Sequence, residues 1–254
     1  MAEWNPSQYL KFADERTRPA ADLLARVPLA APATIVDLGC GPGNSTAPLA
    51  RRWPGARIVG VDNSAAMLEQ ARRDHPDWTW ELADIGQWAP AAPVDLIFAN
   101  ASLHWVPDHP RLFPRLLGHV ARGGALAVQM PRNFGEPSHT LMHEIAEDAR
   151  WRDRLAGAVR RPVAEPAVYY DLLAPLARRL DLWETAYMHV LDGPAAILEW
   201  VRGTGLRPYL DPLDKAEQAD FTARYLAALG AAYRPRADGK ILFPFRRLFL
   251  ITER

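Results

Sequence analysis

Residues 36–46 read VDLGCGPGNST and directly follow an apolar run that is typical of a buried strand. Three glycines at alternate positions, Gly39, Gly41 and Gly43, allow the backbone to turn sharply and to come within contact of a ligand. The dinucleotide fingerprint G-x-G-x-x-G, counted from Gly39, needs its third glycine at position 44, where this chain has Asn44. The stretch therefore predicts a ligand-binding turn after a strand, and its spacing argues against a dinucleotide.

Short apolar runs and helical patterns alternate on both sides of this turn. Such alternation indicates a parallel sheet joined by right-handed crossovers. One helical pattern is predicted to run through Val120 and to end at Gly123-Gly124. Only helical patterns occur between residues 132 and 180. The predicted strands are Thr34–Leu38, Arg57–Val61, Trp78–Leu82, Val94–Ala99, Ala125–Met130, Leu182–Val190 and Ile241–Ile251.

We therefore predict an α/β fold of the Rossmann-like type, with a seven-stranded, mostly parallel sheet, helices on both faces and a helical insertion after the fifth strand. The chain, residues 1–254, is expected to form a single domain. In that domain residues 132–180 are expected to form a helical insertion that covers the substrate. Open α/β sheets bind their ligands at the carboxyl edge, and the insertion is expected to lie over that edge.

Polar residues at the ends of the next strands suit a nucleoside. Asp62 ends the second strand about 20 residues beyond the glycines, the usual distance for an acid that binds ribose hydroxyls. Asp84 follows the third strand and could accept from an adenine amino group, while Ile85 would form an apolar wall beside the ring. These acids also occur in enzymes that bind nicotinamide dinucleotides, so they indicate a nucleoside ligand without naming it.

The composition excludes several classes of protein. The 30 basic and 30 acidic residues give zero net charge, which argues against a protein that binds nucleic acid by neutralising phosphates. The single cysteine, Cys40, permits no intrachain disulfide and fits a reducing compartment. No apolar run approaches the ~18 residues of a membrane span, and the polar N-terminus lacks the apolar segment of a secretory signal. We expect a cytoplasmic protein with a small-molecule substrate and no nucleic-acid or membrane partner; the oligomeric state is left open, and a monomer is compatible with the sequence.

Four motifs carry a family resemblance. DLGCGPGNST, GVDNS, LADI and LIFANASLHW, in this order between residues 34 and 131, resemble the motifs of class I methyltransferases that depend on S-adenosylmethionine (AdoMet). The likeness extends over nearly the whole chain to the trans-aconitate 2-methyltransferases. It is carried there by WNP at 4–6, residues 100–107, LAVQMP at 126–131, YYD at 169–171, WV at 200–201, TGLRP at 204–208, Pro244 and RLF at 247–249.

The resemblance implies AdoMet as cofactor and S-adenosylhomocysteine as its product. It implies transfer of the methyl group to one carboxylate of trans-aconitate, which gives a monomethyl ester. The cofactor-binding residues that we predict are Gly39, Cys40, Gly41, Gly43, Asn44, Asp62, Asn63, Met67, Asp84, Ile85, Asn100 and Ala101.

A carboxylate acceptor simplifies the chemistry. A carboxyl group with a pKa near ~4 is ionised at neutral pH, so neither a general base nor a metal is expected. The other two carboxylates of the substrate need donors, for which arginine and amide groups are suited. Arg247 is left out because it lies within a strand, where an outward-facing arginine is ordinary. The predicted substrate-binding residues are His104, Trp105, Gln129, Arg132, Tyr170 and Arg207.

Three other functions remain open at this point. The first is a methyltransferase of the same fold with another acceptor, such as a malonyl-type thioester on a carrier protein, although we find no basic docking patch in the sequence. The second is a nicotinamide oxidoreductase, against which Asn44 argues. The third is a protein that binds AdoMet without turning it over.

Overall fold

The computed structural model describes residues 13–158 and 163–254, with side chains from Thr17 onwards. The WNP motif at 4–6 lies outside the described residues. Within them the strands are β1 (Thr34–Leu38), β2 (Arg57–Asp62), β3 (Thr79–Leu82), β4 (Val94–Asn100), β5 (Val120–Pro131), β6 (Arg179–Leu191) and β7 (Ile241–Glu253).

Helices fill most of the connections between these strands. Short 3₁₀ turns occur at Leu103–Trp105 and Ala174–Leu176. The described α-helices are α1 (Ala13–Arg26), α2 (Thr46–Arg52), α3 (Ala65–Asp74), α4 (His109–Gly118), α5 (Pro137–Ala146), α6 (Arg152–Leu155), α7 (Pro166–Leu173), α8 (Pro194–Arg202), α9 (Arg207–Leu210) and α10 (Lys215–Ala232).

The seven strands form one sheet in the order β3-β2-β1-β4-β5-β7-β6. The pairs β1–β2, β2–β3, β1–β4 and β4–β5 are parallel, and β5–β7 is antiparallel. The strand order reverses between β1 and β4, which is where open α/β sheets form a ligand crevice. The predicted α/β class and its mostly parallel seven-stranded sheet are confirmed.

Two of the element boundaries that differ from the sequence prediction turn residues predicted to be helical into strand residues. Helix α4 ends at Gly118, and Val120 begins strand β5 instead of continuing the helix. Val120 pairs with Val94, and the Gly123 N–H donates to the carbonyl of Arg254, so long-range pairing decides the conformation. Strand β6 begins at Arg179, inside the last two residues of the stretch 132–180 that was predicted to be helical.

The described chain divides into two compact units. The first comprises the residues up to 131 with 164–185 and 247–254, and the second comprises 132–163 and 186–246. In the second unit α5 packs against α10, and the Tyr225 hydroxyl donates to the carbonyl of Ser138 at 2.6 Å. A search of the described helices finds none that is both long and apolar enough to span a membrane.

Trp80 of β3 packs against the glycine turn. It belongs to a buried cluster with Cys40, Leu68 and Ala71, and its indole N–H donates to the carbonyl of His75 at 3.1 Å. A Cβ on Gly60 would lie far inside van der Waals contact with the Trp80 ring. Gly60 is therefore required for the close approach of this ring to β2.

We predict that Gly60→Ala lowers the free energy of unfolding by about 1–3 kcal/mol, because the added methyl group overpacks a rigid ring. The matched control is Gly55→Ala, since no atom lies within 4 Å of a Cβ at that position. The control should change stability by less than about 1 kcal/mol. Chemical denaturation of both variants measures the difference, and equal midpoints with equal slopes would contradict the packing argument.

Candidate active site

The glycine turn after β1 is held by backbone hydrogen bonds to the end of β2. The N–H groups of Gly39 and Cys40 both donate to the carbonyl of Val61, at 2.7 and 3.1 Å. Gly39, Gly41 and Gly43 have φ values of 76°, 54° and 97°, in the region that favours glycine. The predicted turn is therefore confirmed, and each of the three alternate glycines has a backbone conformation that glycine adopts more easily than other residues.

Asp62 fixes the far side of the same turn. Its Oδ2 accepts from the Gly41 N–H at 2.9 Å, and its Oδ1 accepts from the Ser64 N–H at 2.9 Å. Burial raises the pKa of this carboxyl, against the lowering effect of the backbone hydrogen bonds from Ser64, Gly41 and Asn63. The carboxylate thus lies directly beside the glycine backbone, and its assignment to a ribose stays a prediction.

Asp37 is a second acid beneath the turn and is fully buried. Its Oδ2 accepts from the hydroxyls of Ser45 and Thr46 at 2.8 and 2.7 Å. Desolvation raises the pKa of Asp37 to about 6; the hydrogen bonds from Thr46 and Ser45 oppose this rise, and the charge of Asp62 adds to it. Asp37 ties the end of the glycine turn to β1.

A cleft opens above this turn in the first unit. The Asn100 side chain contributes Oδ1, a buried atom that has no hydrogen-bond partner among the described residues. None of the residues lining the cleft is basic, and two acids lie against the turn. The lining residues are Thr17, Ala20, Gly39, Cys40, Gly41, Pro42, Asn44, Ser45 and Asn100.

These features fit a cationic nucleoside better than a dinucleotide. The Gly41 N–H, which could have bound a phosphate, already donates to Asp62. A pyrophosphate would gain no arginine or lysine from the lining and would be repelled by the nearby carboxylates. A sulfonium cation is favoured by the same charges. The residues present therefore fit AdoMet.

The predicted adenine-side residues follow β2 and β3. Asp84 is exposed, and its Oδ1 accepts from the Gly86 N–H at 2.8 Å, while Ile85 is buried. Asn63 is exposed and Met67 is buried at the start of α3. The Ala83 N–H donates to the carbonyl of Asp62, which links the two strand ends.

Two of the predicted cofactor residues have features of their own. Burial raises the pKa of the Cys40 thiol well above its usual range. Ala101 has a φ of 53°, which is uncommon for a residue with a side chain and marks a local strain often found at functional sites. The Ala101 N–H donates to the carbonyl of Gln129 at 2.9 Å, so the ends of β4 and β5 are joined here.

Four of the predicted substrate residues belong to the first unit. Gln129 is fully buried at the end of β5, directly opposite Asn100 in the register. His104 and the more exposed Trp105 lie on the 3₁₀ turn after β4. Tyr170 on α7 has an exposed fraction of 57%, so its assignment to the substrate stays a prediction.

The remaining two predicted substrate residues belong to the second unit. The Arg132 N–H donates to the carbonyl of Arg246 at 2.9 Å. Arg207 begins the short helix α9, and its Nε lies 3.9 Å from Oδ2 of Asp211. Their assignment to the substrate stays a prediction of the sequence.

The sequence reasoning missed the buried position of Arg247. Its exposed fraction is 5%, and its Nη1 donates to Oε1 of Gln129 at 3.2 Å. The alternation of side chains along β7 could have indicated this burial, because Phe245, Arg247 and Phe249 occupy one face of the strand. The prediction that Arg247 occupies an ordinary outward-facing position is therefore wrong.

His109 was also missed. Its Nε2 lies 3.0 Å from the carbonyl of Leu103, which can only accept, so this nitrogen carries the proton. Its Nδ1 then accepts from the hydroxyl of the buried Tyr169 at 2.7 Å. Burial lowers the pKa of His109, which favours this neutral form. The pair anchors the turn that carries His104 and Trp105.

Known proteins are similar to this chain along its full length. Trans-aconitate 2-methyltransferases of Azoarcus sp. (strain BH72) and Methylobacterium nodulans are 60% and 56% identical over 100% of this chain, and over 100% and 99% of their own lengths. A family model described as a methyltransferase domain matches residues 35–124.

The chain belongs to the trans-aconitate 2-methyltransferase family. The predicted enzyme class, a methyltransferase that uses AdoMet, is confirmed by this membership. The nicotinamide oxidoreductase is not favoured by it, nor is an acceptor thioester on a carrier protein.

Solved structures share the fold of this family member. The YcgJ protein of Bacillus subtilis is 12% identical with a TM-score of 0.62, and the similarity covers 93% of this chain and 98% of that chain. Phosphoethanolamine N-methyltransferase 2 of Haemonchus contortus, in complex with S-adenosylhomocysteine, is 15% identical with a TM-score of 0.56, over 93% of this chain and 52% of that chain. At such identities these structures show the fold alone.

We predict that Asp37→Asn changes how stability depends on pH. The folded pKa of about 6 lies above the ordinary value of 3.8 for an aspartate, so the carboxyl stabilises the fold below pH 4 relative to neutral pH, and this advantage is lost as the pH rises through 6. The shift corresponds to about 3 kcal/mol. Denaturation at pH 4 and pH 7 should therefore show the wild type losing stability relative to the variant. A difference between the two proteins that does not change with pH would contradict this account.

Proposed function

We propose that this protein transfers the methyl group of AdoMet to a carboxylate oxygen of trans-aconitate. The observation that carries the proposal is the 60% identity, from end to end, with a relative that bears this activity in its name. The acceptor is a small polycarboxylate that is free in solution, and we expect the reaction to occur in the cytoplasm.

The cleft and the neighbouring ends of β2 and β3 supply contacts for each part of the cofactor. Asp62 binds the ribose hydroxyls, while Ile85 and Met67 cover the adenine and Asp84 accepts from its amino group. The glycine turn and Asn100 hold the methionine part, where Oδ1 of Asn100 accepts from the amino group. The remaining predicted contacts of this part and of the ribose are Cys40, Asn44, Asn63 and Ala101.

When bound, AdoMet supplies a methyl group on a positively charged sulfur. A carboxylate oxygen of the acceptor forms the new bond to this methyl group, and the electron pair of the broken carbon–sulfur bond stays on sulfur. The products are the monomethyl ester and S-adenosylhomocysteine. One cation and one anion disappear together and no proton is released. A general base is therefore not needed. The protein's task is to align the acceptor oxygen and to exclude water from it.

Cys40 must not compete as a methyl acceptor beside the donor. A thiol reacts as its thiolate, and burial together with the charges of Asp37 and Asp62 raises the pKa of Cys40. The thiol is therefore neutral at physiological pH. The same two carboxylates that favour a sulfonium cation keep the nearest sulfur nucleophile protonated.

The test is release of S-adenosylhomocysteine from AdoMet with trans-aconitate, cis-aconitate and citrate in parallel. We predict a strong preference for trans-aconitate and a kcat/KM that changes less than about threefold between pH 7 and pH 9, because no base titrates. No product with any of these acids, or turnover only with a malonyl thioester on a carrier protein, would overturn the proposal.

The ribose assignment is tested with Asp62→Asn. Loss of the carboxylate should raise the KM for AdoMet about 10- to 100-fold, as expected when a hydrogen bond to a charged group is lost, and leave the KM for the acceptor nearly unchanged. Asp77→Asn, at an exposed position before β3, is the matched control and should behave like the wild type. Equal effects on both KM values would show that Asp62 acts on the fold of the turn instead.

A further inference from the structure

A row of polar side chains crosses one face of the sheet in the first unit. Asn100 of β4 and Gln129 of β5 are directly paired in the register, and Gln129 is paired with Phe249 of β7. Arg247 precedes Phe249 by two residues and is paired with Pro131. Since paired residues and alternate residues share a face, Asn100, Gln129 and Arg247 lie side by side.

Hydrogen bonds within the row do not use all of its buried polar atoms. Gln129 is fully buried, and its Oε1 accepts from Nη1 of Arg247. Its Nε2 has no hydrogen-bond partner among the described residues, and neither does Oδ1 of Asn100. Buried polar atoms without partners are rare because each costs stability. The cofactor accounts for the Asn100 oxygen, and the Gln129 nitrogen points to a second polar ligand beside it.

The chemistry of the row indicates an anion. Because the Gln129 oxygen faces the guanidinium, its amide nitrogen is directed elsewhere as a donor. The Arg247 guanidinium stays charged in a protein and presents further N–H groups in one plane. A carboxylate only accepts hydrogen bonds and matches such a planar set of donors.

The row begins at the cofactor cleft. Asn100 lines that cleft together with Thr17 and Ala20 of α1. Farther along the face, the Trp183 ring stacks on Phe249 at 4.9 Å, and the Arg26 guanidinium lies 4.2 Å above Trp183. An aromatic pair therefore borders the row at Phe249, the residue paired with Gln129, and hydrogen bonds to a charged group are stronger in apolar surroundings.

We infer that the Gln129 amide and the Arg247 guanidinium together bind one of the two carboxylates of the acceptor that are not methylated. This inference rests on the proposed function and adds to it a specificity-determining residue, Arg247. Asn100, at the cleft end of the row, separates this carboxylate receptor from the cofactor. An acceptor without the matching carboxylate would lose the charge-assisted hydrogen bonds from these donors and would be a poorer substrate.

The first test pairs enzyme variants with truncated acceptors. Mesaconate, itaconate and cis-glutaconate each lack a different one of the three carboxylates of trans-aconitate and keep the geometry of the rest. We predict that Arg247→Gln lowers kcat/KM for trans-aconitate on the order of 100-fold, with affinity for S-adenosylhomocysteine unchanged. For the one diacid that lacks the bound carboxylate the same substitution should cost less than about threefold.

The matched control is Arg246→Gln. Arg246 is the neighbour on β7, its side chain is half exposed, and it forms an ion pair with Glu136 at 3.0 Å. The chemical change is identical, but the altered side chain lies on the opposite face of the strand. It should leave kcat/KM within about threefold of the wild type for every acid.

A second variant, Gln129→Glu, tests the same carboxylate site if Arg247→Gln fails to fold. The new carboxylate would pair with the guanidinium inside the protein and compete with the substrate for it. We predict an unchanged or higher Tm, a KM for trans-aconitate raised at least 10-fold, and an unchanged affinity for S-adenosylhomocysteine. A purely structural role of the Gln129–Arg247 pair would leave that KM unmoved.

The outcomes separate the two claims. Wild-type enzyme that methylates none of the acids contradicts the proposed function and the receptor with it. Active wild-type enzyme combined with equal losses for all acceptors in Arg247→Gln, or with an unaltered acceptor KM in Gln129→Glu, overturns the receptor alone.

Discussion

The site depends on the hydrogen bonds that join the glycine turn to the end of β2. One carbonyl, that of Val61, accepts from both Gly39 and Cys40, and the Asp62 carboxylate accepts from Gly41. With these contacts the turn must pass through three positive φ values, which glycine adopts without strain. The turn then lies so close to Ser102 that a side chain at Gly39 would collide with it. In this way one short segment fixes the ends of β1, β2 and β4 around a single cleft.

The charges around this turn decide which nucleoside it accepts. A dinucleotide site uses free backbone N–H groups and a helix N-terminus for its pyrophosphate. Here the Gly41 N–H is used by Asp62, and the hydroxyls at the start of α2 are used by the buried Asp37. Carboxylates thus already accept the hydrogen bonds of groups that could have bound a phosphate. The same arrangement attracts a sulfonium and keeps the Cys40 thiol protonated, so one electrostatic feature serves both binding and selectivity.

The fold and the cofactor side of the site could be predicted from sequence because their signals are local. The motif at 36–46, the acid at Asp62 and the strand ends at Asp84 and Asn100 follow from spacing along the chain. The sequence predictions were wrong where contacts between distant segments determine the conformation or the burial of a residue. Val120 fits a helical pattern equally well, but pairing with Val94 makes it a strand residue. Arg247 was misjudged because its environment depends on Gln129, which is 118 residues away; only the alternation of β7 indicated its buried face.

The central claim is that the turn and its two acids bind a phosphate-free nucleoside cation or its thioether product. Isothermal titration of the protein with S-adenosylhomocysteine and with NAD⁺, at equal concentrations and near-neutral pH, tests this claim most directly. The account predicts saturable one-to-one binding of S-adenosylhomocysteine and no measurable heat with NAD⁺. Saturable binding of NAD⁺ without binding of S-adenosylhomocysteine would contradict it.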